Sequence, residues 1–321
     1  MMKIRNDMLQ NIEMDLCLNT PFTKGIDKKI LNCWHFFTNG NSVDILFEDN
    51  SDYTDAMNRV FVVSQEYDIV ILAFVLMDTH IHFILYGKYV QCNHFIHEFI
   101  RRTSMYISSK NKVRGKLSNI GISHQRIETD RYLKTAICYV IKNPYSAGLP
   151  FNITDYPWGS NSLYFRPQEY WTSLDSTTHF TTLESLSKRS RNKFLKTRKD
   201  NIGKARIIGN IVFPGEYTAF EIVERIFKTH KSFMYFILKT KDDEIESQNG
   251  ETSFLSIPMH EMIQIRNQIC KEKFGVNSIR PLSTSQRILL AKIIRSKYNS
   301  SIKQIARLCG LIIDEARKFL A

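Results

Sequence analysis

No CxxC pair occurs in this chain. Its six cysteines, Cys17, Cys33, Cys92, Cys138, Cys270 and Cys309, are scattered over 321 residues. That spacing gives neither a zinc site nor a disulfide framework, so the cysteines read as reduced thiols of a cytosolic protein. No stretch approaches the roughly 18 apolar residues of a membrane span. The first fifteen residues (MMKIRNDMLQNIEMD) hold no apolar core, so no signal peptide is expected. Without an HExxH helix, the usual zinc-hydrolase arrangement is missing. Internal repeats are absent too, which removes solenoid and propeller architectures. Acidic residues are the scarcer charge: 32 Asp and Glu stand against 44 Lys and Arg, for a net charge of +12. That excess favours a polyanionic partner, nucleic acid ahead of an anionic membrane surface.

Hydrophobic residues make up 43% of the chain and charged residues 24%, enough apolar content for a substantial core in two or three domains. Residues 30–37 (ILNCWHFF) read as a strand before the turn Asn39-Gly40-Asn41. Residues 53–67 have apolar positions at helical spacing, with Ser51 or Asp52 as N-cap. Residues 69–76 (IVILAFVL) read as a central strand buried on both faces, and 81–86 (IHFILY) return antiparallel. A helix over 92–109, a basic stretch (Lys110, Lys112, Arg114, Lys116) and a short strand over 122–128 follow. A last helix over 130–142 is expected to stop at Asn143-Pro144. The order strand, helix, strand, strand, helix, strand, helix predicts an α+β fold: a ferredoxin-like antiparallel sheet with one appended helix.

Composition shifts near residue 166. Residues 166–209 are polar and basic and read as a linker or arm. Residues 210–321 read as a helical C-terminal region, with 216–240 helical, 241–256 acidic and loop-like, and 257–321 helical again.

Two short motifs carry chemistry. In His80-Ile81-His82, a strand would point both imidazoles to one face, roughly 6.5–7 Å apart, where they could grip one divalent ion. Such a pair is also common on ordinary strands. In Tyr139-Val140-Ile141-Lys142-Asn143-Pro144, a helix stacks Tyr139 and Asn143 on one face, so phenol and amide could reach one centre. A core tyrosine followed by an Asn-Pro helix stop has the same letters. If the last helix packs over the central strands, the two motifs meet. Two imidazoles and an amide oxygen would then suit Mg²⁺ or Mn²⁺. His35 lies in an apolar strand and reads as a packed core residue. His94 and His97 read as surface or groove residues.

Taken together, these segments resemble the REP-associated tyrosine transposases, members of the HUH single-tyrosine superfamily. The resemblance spans about residues 30–165. It rests on His80-Ile81-His82, on Tyr139 through Pro144, on Ala147-Gly148-Leu149-Pro150, and on Asp155-Tyr156-Pro157-Trp158-Gly159-Ser160. It implies an HUH nuclease domain over 1–165. It also implies Tyr139 as a nucleophile forming a 5′-phosphotyrosine, and His80, His82 and Asn143 as ligands of Mg²⁺ or Mn²⁺. The substrate implied is single-stranded DNA with a hairpin or repeat, in a bacterial cytoplasm close to the nucleoid. DNA contacts are expected from Arg101, Arg102 and Lys110 and from Arg126 and Arg131 beside the tyrosine helix. Two departures stand out: Asp78-Thr79 where relatives carry Pro-Asn, and Gly159 where serine is usual. They leave room for an alternative, a domesticated DNA-binding protein on the same scaffold.

Residues 301–320 show helix-turn-helix spacing, with Ile302, Ile305, Ala306 and Leu308 inward, Gly310 at the turn, and Ala316, Phe319 and Leu320 inward on a second helix. With the preceding amphipathic helix, a unit at about 285–321 is similar to the C-terminal domain of the bacterial replication initiator. Arg307, Arg317 and Lys318 would face duplex DNA; a plain packing module is the other reading. Monomer and homodimer both stay open.

Overall fold

In a computed structural model, residues 6–16, 18, 29–39, 46–111, 120–167, 169–171, 181–198, 204–240, 259–298 and 302–320 are described. Lys112, Arg114, Lys116, Cys17 and the acidic stretch 241–256 lie outside them.

A mixed α+β architecture is built on one four-stranded antiparallel sheet. After α1 (Asn6–Asp15) come β1 (Lys29–Asn39), α2 (Asn50–Ser64), β2 (Ile69–Leu76), β3 (Ile81–Gly87), α3 (Tyr89–Asn111), β4 (Gly121–Thr129) and α4 (Asp130–Ser146). The strand order is β2-β3-β1-β4, the split βαβ arrangement expected from the order of elements. Every residue of β2 and β3 is buried, because helices cover both faces.

Alternation along β1 and β3 divides the core. Phe36 pairs with Phe83, and both face α2 and α3 in a cluster with Phe74, Phe95 and Phe99. Their neighbours His35 and His82 face the other way, toward α4. On that second face, α4 packs with Val70, Leu72, Val75 and Ile84.

Capping sets the helix starts. The α2 N-cap is Asp49, not Ser51 or Asp52. Its carboxylate accepts from Ser51 N at 2.8 Å and Asp52 N at 3.0 Å, while Asp52 accepts from Glu48 N at 2.9 Å. This reciprocal pairing satisfies backbone donors that the first turn leaves open. Thr129 caps α4 by accepting from Tyr132 N at 3.2 Å. Contrary to the sequence expectation, α4 does not stop at Asn143. It runs on to Ser146 with Pro144 inside, and Ala147 N donates to Asn143 O at 2.9 Å. A proline lacks one N–H and crowds one carbonyl, and in the last turn the helix continues past it.

The Tyr-Pro-Trp-Gly-Ser segment lies along the outer edge of β2. Leu76 N donates to Trp158 O at 2.9 Å, and Ser160 N donates to Phe74 O at 3.0 Å. Trp158 stacks on Tyr53 with ring centres 5.0 Å apart. Gly159 has a steric reason: a Cβ there would stand 2.7 Å from Phe74 O and 3.2 Å from Val75 Cα. Covering this edge removes a strand that could otherwise pair with another chain.

The described residues of 166–209, the segment read as a linker or arm, include strands and a helix. β5 (Thr181–Thr182) pairs with β6 (Arg206–Ile208), and β6 pairs with β7 (Ile211–Val212). Between β5 and β6, α5 (Lys188–Leu195) ends at Lys196, which takes a left-handed conformation with φ +48°. Asn58 of α2 ties this small sheet down, accepting from Val212 N at 2.8 Å and donating to Asn210 O at 3.0 Å. The segment 216–240, expected to be helical, holds two helices, α6 (Phe220–Phe227) and α7 (His230–Lys239), broken at Lys228 and restarted by the Thr229 cap.

Four C-terminal helices, α8 (Met259–Phe274), α9 (Thr284–Tyr298), α10 (Ile302–Cys309) and α11 (Ile313–Leu320), share a core of their own. Leu290, Ile294, Ile305, Ala306, Leu308, Ala316 and Leu320 are buried as the spacing predicts, whereas Leu289, read on the same apolar side of α9, is 52% exposed. Phe319 is not buried either: it is 47% exposed, because Ala316 and Leu320, four apart, already define the inward face. Cys33, Cys92, Cys138, Cys270 and Cys309 are buried.

Candidate active site

The face of the sheet beneath α4 gathers the residues of both motifs. His82 stands on β3, His80 immediately before it, and Tyr139 and Asn143 one turn apart on α4. His80 Nε2 is 3.1 Å from Asn143 Oδ1, and Asn143 Nδ2 is 3.4 Å from His82 Nε2. The rings of His80 and His82 meet edge to face at 4.9 Å. Tyr139 sets its ring perpendicular to His82 at 5.3 Å and is only 7% exposed. The four residues converge because strand alternation turns His82 toward α4, while helical periodicity turns Tyr139 and Asn143 toward the sheet.

A third imidazole completes the cluster. His35, 1% exposed on β1, has its Nε2 3.0 Å from His82 Nδ1. Its ring stacks on His82 at 5.2 Å and meets Tyr139 edge-on at 6.1 Å. His35 reads from the sequence as a packed core residue, and it is buried. Its partner could not be read from an apolar strand, because the contact depends on which neighbour β3 supplies. On the opposite side, Thr79 Oγ1 is 2.9 Å from His80 Nδ1.

These residues suit a divalent cation. Both Nδ1 atoms are engaged by side chains behind them, which fixes each ring and leaves both Nε2 atoms facing the Asn143 carboxamide. Partners on the far nitrogen are what a metal-binding imidazole needs for tautomer and orientation. Among the described residues, no group of three or more His, Cys, Asp and Glu is poised to bind metal. A cation here would therefore depend on the amide oxygen, a hard donor that favours Mg²⁺ or Mn²⁺ over zinc.

Tyr132, a second phenol of α4, stands apart from this cluster. Burial pushes its pKa up to about 12, and its oxygen has no hydrogen-bond partner.

The expected DNA-contact residues scatter. Arg101 and Arg102 grip Glu98, at 2.7 and 2.6 Å, and Arg102 also reaches Glu66 at 2.8 Å. Lys110 is held by Asp49 and Asp52, each at 2.7 Å. All three belong to α3, across the sheet from Tyr139. Arg126 lies exposed over the Trp34 ring at 5.8 Å, and Arg131 is exposed on the first turn of α4. Arg307 is partly buried in α10, whereas Arg317 and Lys318 are exposed on α11.

No family model and no curated protein matches this chain. A solved structure of a REP-associated tyrosine transposase bound to a REP hairpin is similar over 44% of this chain and 82% of that one. The identity is 15% and the TM-score 0.32, too low to establish a shared fold. No helix among the described residues is long and apolar enough to cross a membrane.

Proposed function

We propose that this chain is a metal-assisted DNA strand transferase of the HUH single-tyrosine type, cutting and rejoining single-stranded DNA through Tyr139. One observation carries the reading: His80 Nε2 and His82 Nε2 both face the Asn143 carboxamide, and the Tyr139 ring abuts His82 one helical turn away. A structural tyrosine does not require a pair of imidazoles and an amide on the same buried centre.

His80, His82 and Asn143 Oδ1 would hold Mg²⁺ or Mn²⁺, which when bound polarises a phosphoryl oxygen. His35 and Thr79 keep the two imidazoles turned toward that position. The Tyr139 phenol loses its proton to water and attacks phosphorus. The bond from phosphorus to the 3′ oxygen breaks, and that oxygen takes a proton and leaves as a 3′-OH. The 5′-phosphotyrosine left behind keeps the phosphodiester energy, so attack by a 3′-OH reverses the step without a nucleotide cofactor. At 7% exposure Tyr139 is sheltered, so DNA entry requires its surroundings to open. The substrate in this reading is a single strand bearing a hairpin or repeat. The helices α9–α11 would read duplex DNA beside it through Arg307, Arg317 and Lys318.

The test uses labelled hairpin oligonucleotides from the DNA flanking the gene, incubated with Mg²⁺ or Mn²⁺ and run on a denaturing protein gel. A metal-dependent covalent band that disappears in Tyr139→Phe is expected. Strands that bind without ever forming a band would instead favour a DNA-binding protein built on the same scaffold.

A further inference from the structure

Across the sheet from Tyr139 lies a second concave surface, where Arg101 and Arg102, expected from the sequence as DNA contacts, meet the basic segment 188–198. Two adjoining cavities of about 490 and 540 Å³ share Lys196, Thr197 and Arg198 as a common wall. The first is closed on its far side by α2 and α3, through Arg59, Arg101, Arg102 and Tyr106. The second continues along α5 past Lys193 and Lys188. Of the ionisable Lys, Arg, Asp and Glu side chains lining the two, seven are cationic and only Asp55 is anionic.

This surface is assembled rather than incidental. The left-handed turn at Lys196 ends α5 and folds the chain over toward α2. Lys196 Nζ then reaches Asp55 Oδ1 at 2.6 Å and sits 4.0 Å from the centre of the Tyr106 ring. Arg59, 8% exposed, is held by Asp55 and by Thr103 Oγ1, and its guanidinium is 5.2 Å from the same ring. Burial lowers the Arg59 pKa to about 10, so it still carries its charge at neutral pH. Asp55 thus serves buried Arg59 and half-exposed Lys196 at once, while Lys188, Lys193 and Arg198 extend the positive surface outward. Fixed cations in a trough beside an aromatic ring suit a phosphodiester backbone with intermittent base stacking.

We infer that this trough is a nucleic-acid binding tract that holds the backbone of a single DNA strand on the face of the sheet opposite Tyr139. It rests on the proposed function for the identity of the polymer as DNA. A strand engaged at both places must pass around an edge of the sheet, so the tract would grip DNA beyond the cleaved phosphate. It also assigns a role to the basic arm: α5 supplies one wall of the tract.

The probe is a thirty-nucleotide oligo-dT, which has no hairpin. Its binding to the full chain is followed by fluorescence anisotropy from about 50 to 200 mM salt. The combined variant Lys188→Gln, Lys193→Gln, Arg198→Gln leaves the Asp55 contacts in place. It should weaken binding on the order of tenfold at the low-salt end and flatten the slope of log affinity against log salt by about 2, at roughly 0.7 per phosphate contact on a single strand. A charge-matched control, Lys228→Gln, Lys231→Gln, Lys239→Gln, should change neither by more than about half as much. Equal losses in the two triple variants would overturn the tract, since net charge would then be the whole effect. Phosphatidylglycerol vesicles bound through the same three residues, with oligo-dT affinity unchanged, would overturn it too. The hairpin adduct assay separates the two readings. Loss of oligo-dT binding without any Tyr139 adduct in the wild type leaves the tract standing and removes the strand-transfer reading. An adduct with unaltered oligo-dT binding in the tract variant does the reverse.

Discussion

The two faces of one sheet are built from alternate residues of the same strands, yet they do opposite work. On β1 and β3, Phe36 and Phe83 face α2 and α3, where Phe74, Phe95 and Phe99 complete a dry aromatic core. One residue away on each strand, His35 and His82 face α4 and meet Tyr139. The phenylalanine cluster itself has no polar group to satisfy and is free to maximise packing. The other face holds three buried imidazoles, a buried phenol and a half-buried amide, and each must find a partner or lose solvation energy. Such a cluster is a poor way to stabilise a fold and a good way to hold chemistry in place.

The sharpest break of that contrast is Tyr139→Phe. It should abolish the covalent DNA adduct while changing unfolding free energy by only about 1 kcal/mol, since one hydroxyl is removed and the ring stays. An adduct that survives would mean another nucleophile. Next is Phe83→Ala on the apolar face, which should cost about 3–5 kcal/mol in urea denaturation, the usual range for truncating a buried phenylalanine. A cost below about 1 kcal/mol would show that the two faces share the stabilising work more evenly than their composition suggests.

His35→Ala tests whether the polar face is organised as a unit. Removing the side chain behind His82 should weaken Mn²⁺ binding, read by electron paramagnetic resonance, on the order of 10- to 100-fold. His35→Gln, which keeps a hydrogen-bonding group, should recover part of that loss. Unchanged affinity in both would make His35 a packing residue. Gly159→Ala probes the β2 edge that borders both faces. Its Cβ would press on Phe74 O and Val75 Cα, for a cost of about 1–3 kcal/mol.

The smallest effect concerns α3, outside the sheet. Glu98 is held down to about 2, first by its hydrogen bond from Arg101 and then by Arg102. Because the folded carboxyl is more acidic than the ordinary value of 4.5, its contribution is present above pH about 4.5 and is lost as pH falls toward 2. Stability of Glu98→Gln should therefore lie slightly below wild type at pH 6, and the two should draw together on acidification. A gap that widens toward low pH would reverse the sign of this contribution.

Much of the sheet was legible beforehand. The run Ile69–Leu76 reads as a strand from its continuous apolar stretch, and β2 has those bounds and is buried throughout. It lies at the edge of the sheet and not at its centre, and is buried there because the 156–160 segment and the helices cover it. His80-Ile81-His82 and the pair Tyr139 and Asn143 were readable because periods of two and of 3.6 are local properties. The extent of α4 was misjudged because Pro144 looks like a stop, although its place in the final turn costs the helix little. The structure carried by 166–209 was hidden by its polarity: α5 has only Leu195 fully buried, so its apolar pattern is thin.

By itself, then, the chain specified its basic character, its strand and helix order, and which residues could share a face. Those follow from charge count and backbone periodicity, which need no knowledge of distant residues. Only the tertiary structure decided that His35 would stand behind His82, 47 positions away, and that Lys196 would close over Asp55 and Tyr106. Strand order sets the first contact and a single left-handed turn sets the second, and neither leaves a local pattern, because the partners belong to elements that meet only when the sheet is assembled.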